Sequence, residues 1–359
     1  MTVRLPYANL KACIPAMVLV AVNATNLFGP PVQLLAIAAL LALVWRHLEI
    51  EVGFSWLWAG YFLVCIGAGV VAYGVDQAVI KAGKLGLFLV ASFLTVKGAR
   101  DDNRFPALLA LRAMVGLGFL NLLYAVALGH HVFRADYLLE FSIYSSYTIA
   151  ILIYLARPEL KPLDRILAYF ILVMCGSTMG LLLLIVAEIL GRRLRPVTVM
   201  GLAALAPVGL VALNFLMKAR GKSLTWDYLA NSDRSVLLTT FFETTLPSLS
   251  GWQWLFGMGV GAPLHHFITA NSGFNAYLVR LGEGGVYSFC LHNEALRIFC
   301  DFGLLGLFFV VARLTSVCSR PVILLLGIGM VTNSYLYSFS GALLASGLFN
   351  PKPPSRPHA

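Results

Sequence analysis

The stretch 166-ILAYFILVMCGSTMGLLLLIVAEIL-190 sets the topology of the whole chain. Its two apolar runs, Ile166–Cys175 and Thr178–Leu190, are each shorter than the roughly 20 residues of an upright membrane span. Gly176-Ser177-Thr178-Met179-Gly180 separates them and fits either a tight turn or a kink in one helix. Charge parity decides between the two. With a turn, the hinges holding Arg46, Lys97–Arg104, Arg157–Arg165, Arg192–Arg195 and Arg313–Arg320 share one side with Arg4, Lys11, Lys352 and Arg356. An excess of Lys and Arg marks the cytoplasmic side of a membrane protein. The opposite hinges, Gly29–Pro31, Asp76–Gln77 and His130–Asp136, hold little positive charge. A single kinked helix would split the cationic clusters between the two sides, so the turn is expected.

Working outward, apolar runs predict spans near Ala12–Phe28, Val32–Val44, Gly53–Val75, Val79–Val96, Ala107–Leu128 and Tyr137–Leu155. The two runs above follow, then Val197–Leu216 and Leu296–Ala312. Val322–Phe349, interrupted by Thr332-Asn333-Ser334, reads as a hairpin of two short helices. The expected fold is an all-α polytopic transmembrane bundle of about twelve spans. One large extramembrane loop lies between spans 9 and 10. The expected division is an N-terminal bundle over 1–217, a loop over 218–295, C-terminal helices over 296–350 and a cytoplasmic tail over 351–359.

Composition agrees with this reading. Hydrophobic residues make up 59% of the chain and charged residues only 12%, too few to cover the surface of a water-soluble protein of this size. The net charge of +10 falls in hinges between apolar runs, where it orients spans and meets lipid headgroups. Nucleic-acid binding is therefore a poor reading. Of the six cysteines, Cys13, Cys65 and Cys175 lie in apolar runs and act as small hydrophobes. Cys290, Cys300 and Cys318 form no zinc-ligand spacing, although Cys290 and Cys300 are placed so that a disulfide is conceivable. The first apolar run has no cleavable signal pattern and reads as a retained span.

The loop contains three features that bear on chemistry. Ser232-Asp233-Arg234 opens an apolar helical stretch, Val236–Leu246, with Asp233 suited to cap it and Arg234 at the membrane surface. An ordinary capped interfacial helix with a snorkelling arginine fits equally well. Next comes Leu255-Phe256-Gly257-Met258-Gly259-Val260-Gly261, whose alternating glycines permit close backbone approach to a ligand or simply a flexible turn. The third is Leu291-His292-Asn293-Glu294-Ala295-Leu296-Arg297, followed by Asp301-Phe302-Gly303-Leu304-Leu305-Gly306. His292 there is a titratable base at the mouth of a span, and Asn293 is placed to position it or a substrate. A plain helix N-cap at Asn293 is the alternative. Arg297 lies about one turn from Asn293 and Glu294. His130-His131 and His265-His266 have no metal partners at usable spacing, and neither a metal nor any other cofactor is expected.

In that order, an arginine early in the loop, LFGMGVG, HNEALRIFCDFGLLGLFF and a terminal hairpin, the chain resembles the bacterial O-antigen ligase and O-antigen polymerase superfamily. The resemblance covers about Asp233 to Asn350 and is most specific from His292 to Gly306. It implies a metal-independent, inverting glycosyltransferase of the bacterial inner membrane whose loop is periplasmic. The implied donor is a glycan on undecaprenyl diphosphate, and the implied acceptor is a glycan or a lipid A core. His292 would then be the general base or orient the acceptor hydroxyl, and Arg234 would hold the diphosphate. Arg280, Asn293, Arg297, Lys218 and Arg220 are the substrate-binding candidates. One departure stands out: where the family carries a Ser-Arg pair, this chain has Ser177-Thr178, so Lys81, Lys84, Lys218 or Arg220 would have to replace that arginine. A transporter of lipid-linked sugars is the competing class. Such folds show paired broken helices, and only Gly176–Gly180 offers a break here. A non-catalytic scaffold explains neither His292-Asn293 nor the glycine run.

Overall fold

Helices dominate the protein in a computed structural model, which describes residues 7–50, 55–74, 94–96, 104–133, 135, 137–140, 142–191, 238–239, 241–264, 286–287, 293–332, 335–336, 338–346 and 348–349. The all-α expectation holds. The expected span Val197–Leu216 lies outside the described residues. The chain divides into two compact units. One comprises Met1–Leu63, Ala82–Gly191 and Phe308–Ala359; the other comprises Val64–Lys81 and Arg192–Leu307.

In the first unit, α1 (Tyr7–Ala24) packs against α2 (Pro30–Val44) and α4 (Arg104–Ala127). Gly29, at φ 84°, turns the chain into α2, and Pro30 occupies the first helical position, where a missing N–H costs nothing. The first part of α3 (Ser55–Tyr73) also belongs to this unit. Its Phe62 packs edge-on to Phe309 at 5.2 Å.

The helices α5 (Ser142–Ala156), α6 (Pro162–Met174) and α7 (Thr178–Leu190) follow. The expected turn between α6 and α7 is present. Gly176 adopts φ 63°, and the Ser177 hydroxyl accepts from the Gly180 amide at 3.0 Å, capping α7. At the far end Glu188 accepts from Tyr169 Oη at 2.6 Å and from Arg157 Nη2 at 3.0 Å, with Arg165 Nε at 3.8 Å. The start of α6 thus meets the end of α7. A continuous kinked helix would hold these groups about 30 Å apart, so the pair is an antiparallel hairpin.

Other expectations are corrected. Helix was predicted from Tyr137, but α5 begins at Ser142, and three asparagine amides explain the delay. Asn121 Oδ1 accepts from the amides of Tyr137 and Leu138, and its Nδ2 donates to Ala135 O at 2.8 Å. Asn26 donates to Leu139 O, and Asn23 accepts from the Glu140 amide at 3.0 Å. Side chains therefore take the backbone groups that a helix would have paired. Leu94–Val96, predicted as the end of a span, is a strand paired antiparallel with Leu48–Ile50 in the register Leu48↔Val96. Its β-branched Thr95 and Val96 suit that geometry.

The last helices of this unit are the distal part of α9 (Glu294–Val317), then α10 (Arg320–Thr332) and α11 (Phe339–Leu344). The terminal hairpin was expected to supply two spans. Its second arm has only six residues, about 9 Å of helix, and is buried instead. The Ser340 amide donates to Glu140 Oε2 at 2.9 Å, and Ser340 Oγ accepts from Asn23 at 3.1 Å. Tyr335 shares a hydrogen bond with Thr148 at 2.8 Å, and Tyr147 with Thr332 at 2.9 Å. Polar groups thus line the interior, while Leu123, Val126, Ile166, Phe170, Ile185 and Val331 face outward. Among the described residues, Phe105–Ala127 and Glu294–Val317 are long and apolar enough to cross a membrane.

On the surface of this unit Arg112 grips Asp164 through two hydrogen bonds of 2.9 Å, which hold the Asp164 carboxyl below the usual carboxylate range. With its folded pKa depressed, this contribution is complete above the unfolded value and is lost as pH falls through the folded one. The Arg112 side chain is 46% exposed, so solvent screening limits the pair to about 1 kcal/mol or less. Asp164→Asn should lower the thermal midpoint only slightly near neutral pH and remove that part of the acid sensitivity. Gly180→Val should cost more, about 1–3 kcal/mol in thermal unfolding, because its Cβ would run into Ser146. Gly327→Ala meets nothing within 4 Å and should gain up to about 1 kcal/mol in the same assay.

Candidate functional site

Two of the three sequence features meet in the second unit. A short helix there, α8 (Gly251–Phe256), is capped at both ends. Ser250 Oγ accepts from the Gln253 amide at 3.3 Å, and Gln253 Oε1 accepts from the Ser250 amide at 2.9 Å. Gly257, at φ 83°, ends it, its amide donating to Gln253 O at 2.8 Å. The chain then runs through Gly259 and Gly261, also at positive φ.

These glycines do permit close approach, but the approaching partner is the protein itself. A Cβ on Gly257 would sit 2.6 Å from the Asp301 carbonyl carbon and from the Phe302 amide nitrogen. One on Gly303 would run into the Leu255 carbonyl, and one on Gly69 of α3 into the Val260 carbonyl. Met258 N donates to Cys300 O at 2.7 Å. Helix α9 breaks at Gly303, with φ 66° and ψ −167°, a conformation open to glycine alone at low cost. A helix break disturbs the bonds of the carbonyls just before it. The glycine turn supplies an outside donor at that point. LFGMG and DFG are therefore one backbone-to-backbone joint.

The head of α9 shows what the third feature builds. Asn293 Oδ1 accepts from the Leu296 amide at 3.1 Å, so Asn293 is the N-cap. Glu294, Arg297 and Asp301 follow at i, i+3 and i+7 and share one face, at 0%, 7% and 3% exposure. Three ionisable groups are thus buried along two turns of an otherwise apolar helix. Arg297, a predicted binding residue, belongs to this face one turn from Asn293. Sequence reasoning did not assign Glu294 or Asp301 a role, although their spacing with Arg297 was readable. His292, Arg234, Arg280, Lys218 and Arg220 lie outside the described residues. Of the predicted helix Val236–Leu246, the described part is helical at 238–239 and forms a π-turn at Phe241–Thr245, leading into Leu246–Ser248.

No family model, curated protein or solved structure matches the chain.

Gly303→Ala tests the joint. A methyl group there is forced to a positive φ and into the backbone of Leu255 and Gly257. We expect a loss of at least about 2 kcal/mol in thermal unfolding. Gly306→Ala would meet only the Phe302 and Ile298 side chains and should cost less.

Proposed function

We propose that the chain is a polytopic membrane glycosyltransferase of the O-antigen ligase or polymerase type, with its catalytic loop on the periplasmic side of a bacterial inner membrane. The observation that carries this reading is the head of α9. The long apolar helix α9, broken at Gly303, begins at the Asn293 cap, which follows His292 in sequence, and buries Glu294, Arg297 and Asp301 on one face. Ionisable groups in or near a membrane span are costly unless they serve a site. The exposed apolar residues on the outside of the first unit, with hydrogen-bonded polar groups among the residues buried within, support the membrane setting. A multi-span bundle, with the short terminal arm folded inside it, belongs to this proposal.

The reaction is one displacement. The acceptor hydroxyl oxygen forms a bond to the anomeric carbon of the donor sugar, while the bond from that carbon to the phosphate oxygen breaks. The electron pair leaves with undecaprenyl diphosphate, and the hydroxyl proton passes to the imidazole of His292. Inversion follows from the single in-line attack. Arg234 offsets the charge developing on the leaving group, because a planar guanidinium matches two phosphate oxygens at once. Arg280, Lys218 and Arg220 add positive charge along the lipid diphosphate. Arg297, buried on the same face as Glu294 and Asp301, adds positive charge at the head of α9.

His292→Ala should reduce glycan transfer in membrane vesicles at least about 100-fold, with expression and membrane insertion unchanged. Unaltered transfer removes its role as base. Arg234→Lys should recover little of the activity lost in Arg234→Ala, since a point charge lacks the fork geometry. A polysaccharide gel from a deletion strain separates the acceptor classes. Full-length polymer stranded on the carrier lipid indicates ligase, and single repeat units indicate polymerase. Donor retained at the cytoplasmic face indicates a transporter and overturns the proposal.

A further inference from the structure

We infer that α8 is a membrane-surface anchor whose aromatic face inserts into the headgroup–acyl boundary of the bilayer. This rests on the membrane reading above. On the helical wheel Leu255, Trp252 and Phe256 form one contiguous arc, with no charge in it. Trp252 is 73% exposed and stacks on Phe256 at 5.6 Å, and Phe242 nearby is 53% exposed. Large aromatic side chains left uncovered on one side of a short helix need an apolar partner.

The depth of α8 identifies that partner. Trp254 packs edge-on against Phe299 of α9 at 5.3 Å, and Leu255 abuts Gly303. The expected span begins at Leu296, so these contacts lie about 5 and 10 Å along the axis of α9 from its entry. That is the depth at which interfacial helices bury their apolar faces, about 5–10 Å. Tryptophan suits it, with an apolar body and one N–H donor at its edge. Backbone groups at this depth cannot rely on water. Here they are bonded by the Ser250–Gln253 pair, by Gly257 N to Gln253 O and by Met258 N to Cys300 O.

The sequence from Leu238 to Leu264 holds one charged residue, Glu243, and no Lys or Arg. The anchor therefore works by aromatic insertion and not by attraction to anionic lipid. Its role is to hold the glycine joint, and with it the head of α9, at a fixed depth at the bilayer surface.

The test uses the full chain reconstituted in phosphatidylcholine bilayers carrying bromine either near the headgroup end or near the terminus of the acyl chain. The Trp252 component is the fluorescence difference between the wild type and Trp252→Phe. Shallow bromine should quench it about two-fold more than deep bromine, matching a depth of about 5–10 Å. Replacing part of the lipid with phosphatidylglycerol, or raising the salt, should leave that ratio unchanged. Quenching by aqueous iodide without quenching by bromine overturns the inference, and so does quenching by neither, which would mean a protein cover. Dependence on anionic lipid overturns it too. Alkaline carbonate washing tests the membrane reading separately. A chain retained in the bilayer with an iodide-quenched Trp252 refutes the anchor alone, whereas a chain released by the wash refutes both.

Discussion

A peptide group inside an apolar bundle must find a hydrogen-bond partner, and much of this architecture follows from how that demand is met. Where the chain stays helical, the helix satisfies itself. Where it departs from helix, a side chain or a distant backbone group steps in. Asn23, Asn26 and Asn121 serve the irregular stretch before α5, Ser177 serves the α6–α7 turn, and Met258 serves α9 near its break. Apart from the local Ser177 turn, these departures bring together segments far apart in sequence. The irregular points are accordingly where the bundle is tied and where the candidate site is built.

What could be read in the sequence follows from the same demand. Turn chemistry is local, so Gly176 and Ser177 announced the α6–α7 hairpin, and hinge charges agreed with it. The all-helical class was legible in the apolar runs. The late start of α5 was not, because Tyr137–Leu155 is apolar enough for helix and its competitors, Asn23, Asn26 and Asn121, come from other segments. The shortness of α11 was hidden for a similar reason. Apolar composition marks a buried segment as readily as a spanning one, and only the contacts of Ser340 with Asn23 and Glu140 distinguish them.

The site was legible in part. Of the alternating glycines, Gly257 meets another backbone closely, whereas Gly259 meets only the Tyr73 ring at 3.7 Å. A repeat of glycines carries no information about what approaches, and the partner proved to be α9. Asn293 proved to be the cap of α9, the plainer of its two readings. The buried face of Glu294, Arg297 and Asp301 was hidden in plain spacing, because charged residues at the start of an expected span read first as surface groups. Burial, which depends on neighbours from elsewhere in the chain, is what gives them weight.

The hydrogen bond between Asn23 and Ser340 joins residues 317 positions apart. During synthesis Asn23 emerges 317 residues before its partner. The α6–α7 hairpin, closed by Tyr169 and Glu188 only 19 positions apart, is complete long before then. Folding is therefore staged, with a locally closed middle waiting on a distant latch. Until Ser340 docks, the polar pocket around Asn23 and Glu140 lacks one of its members, so the bundle core closes only when segments so far apart in sequence have met.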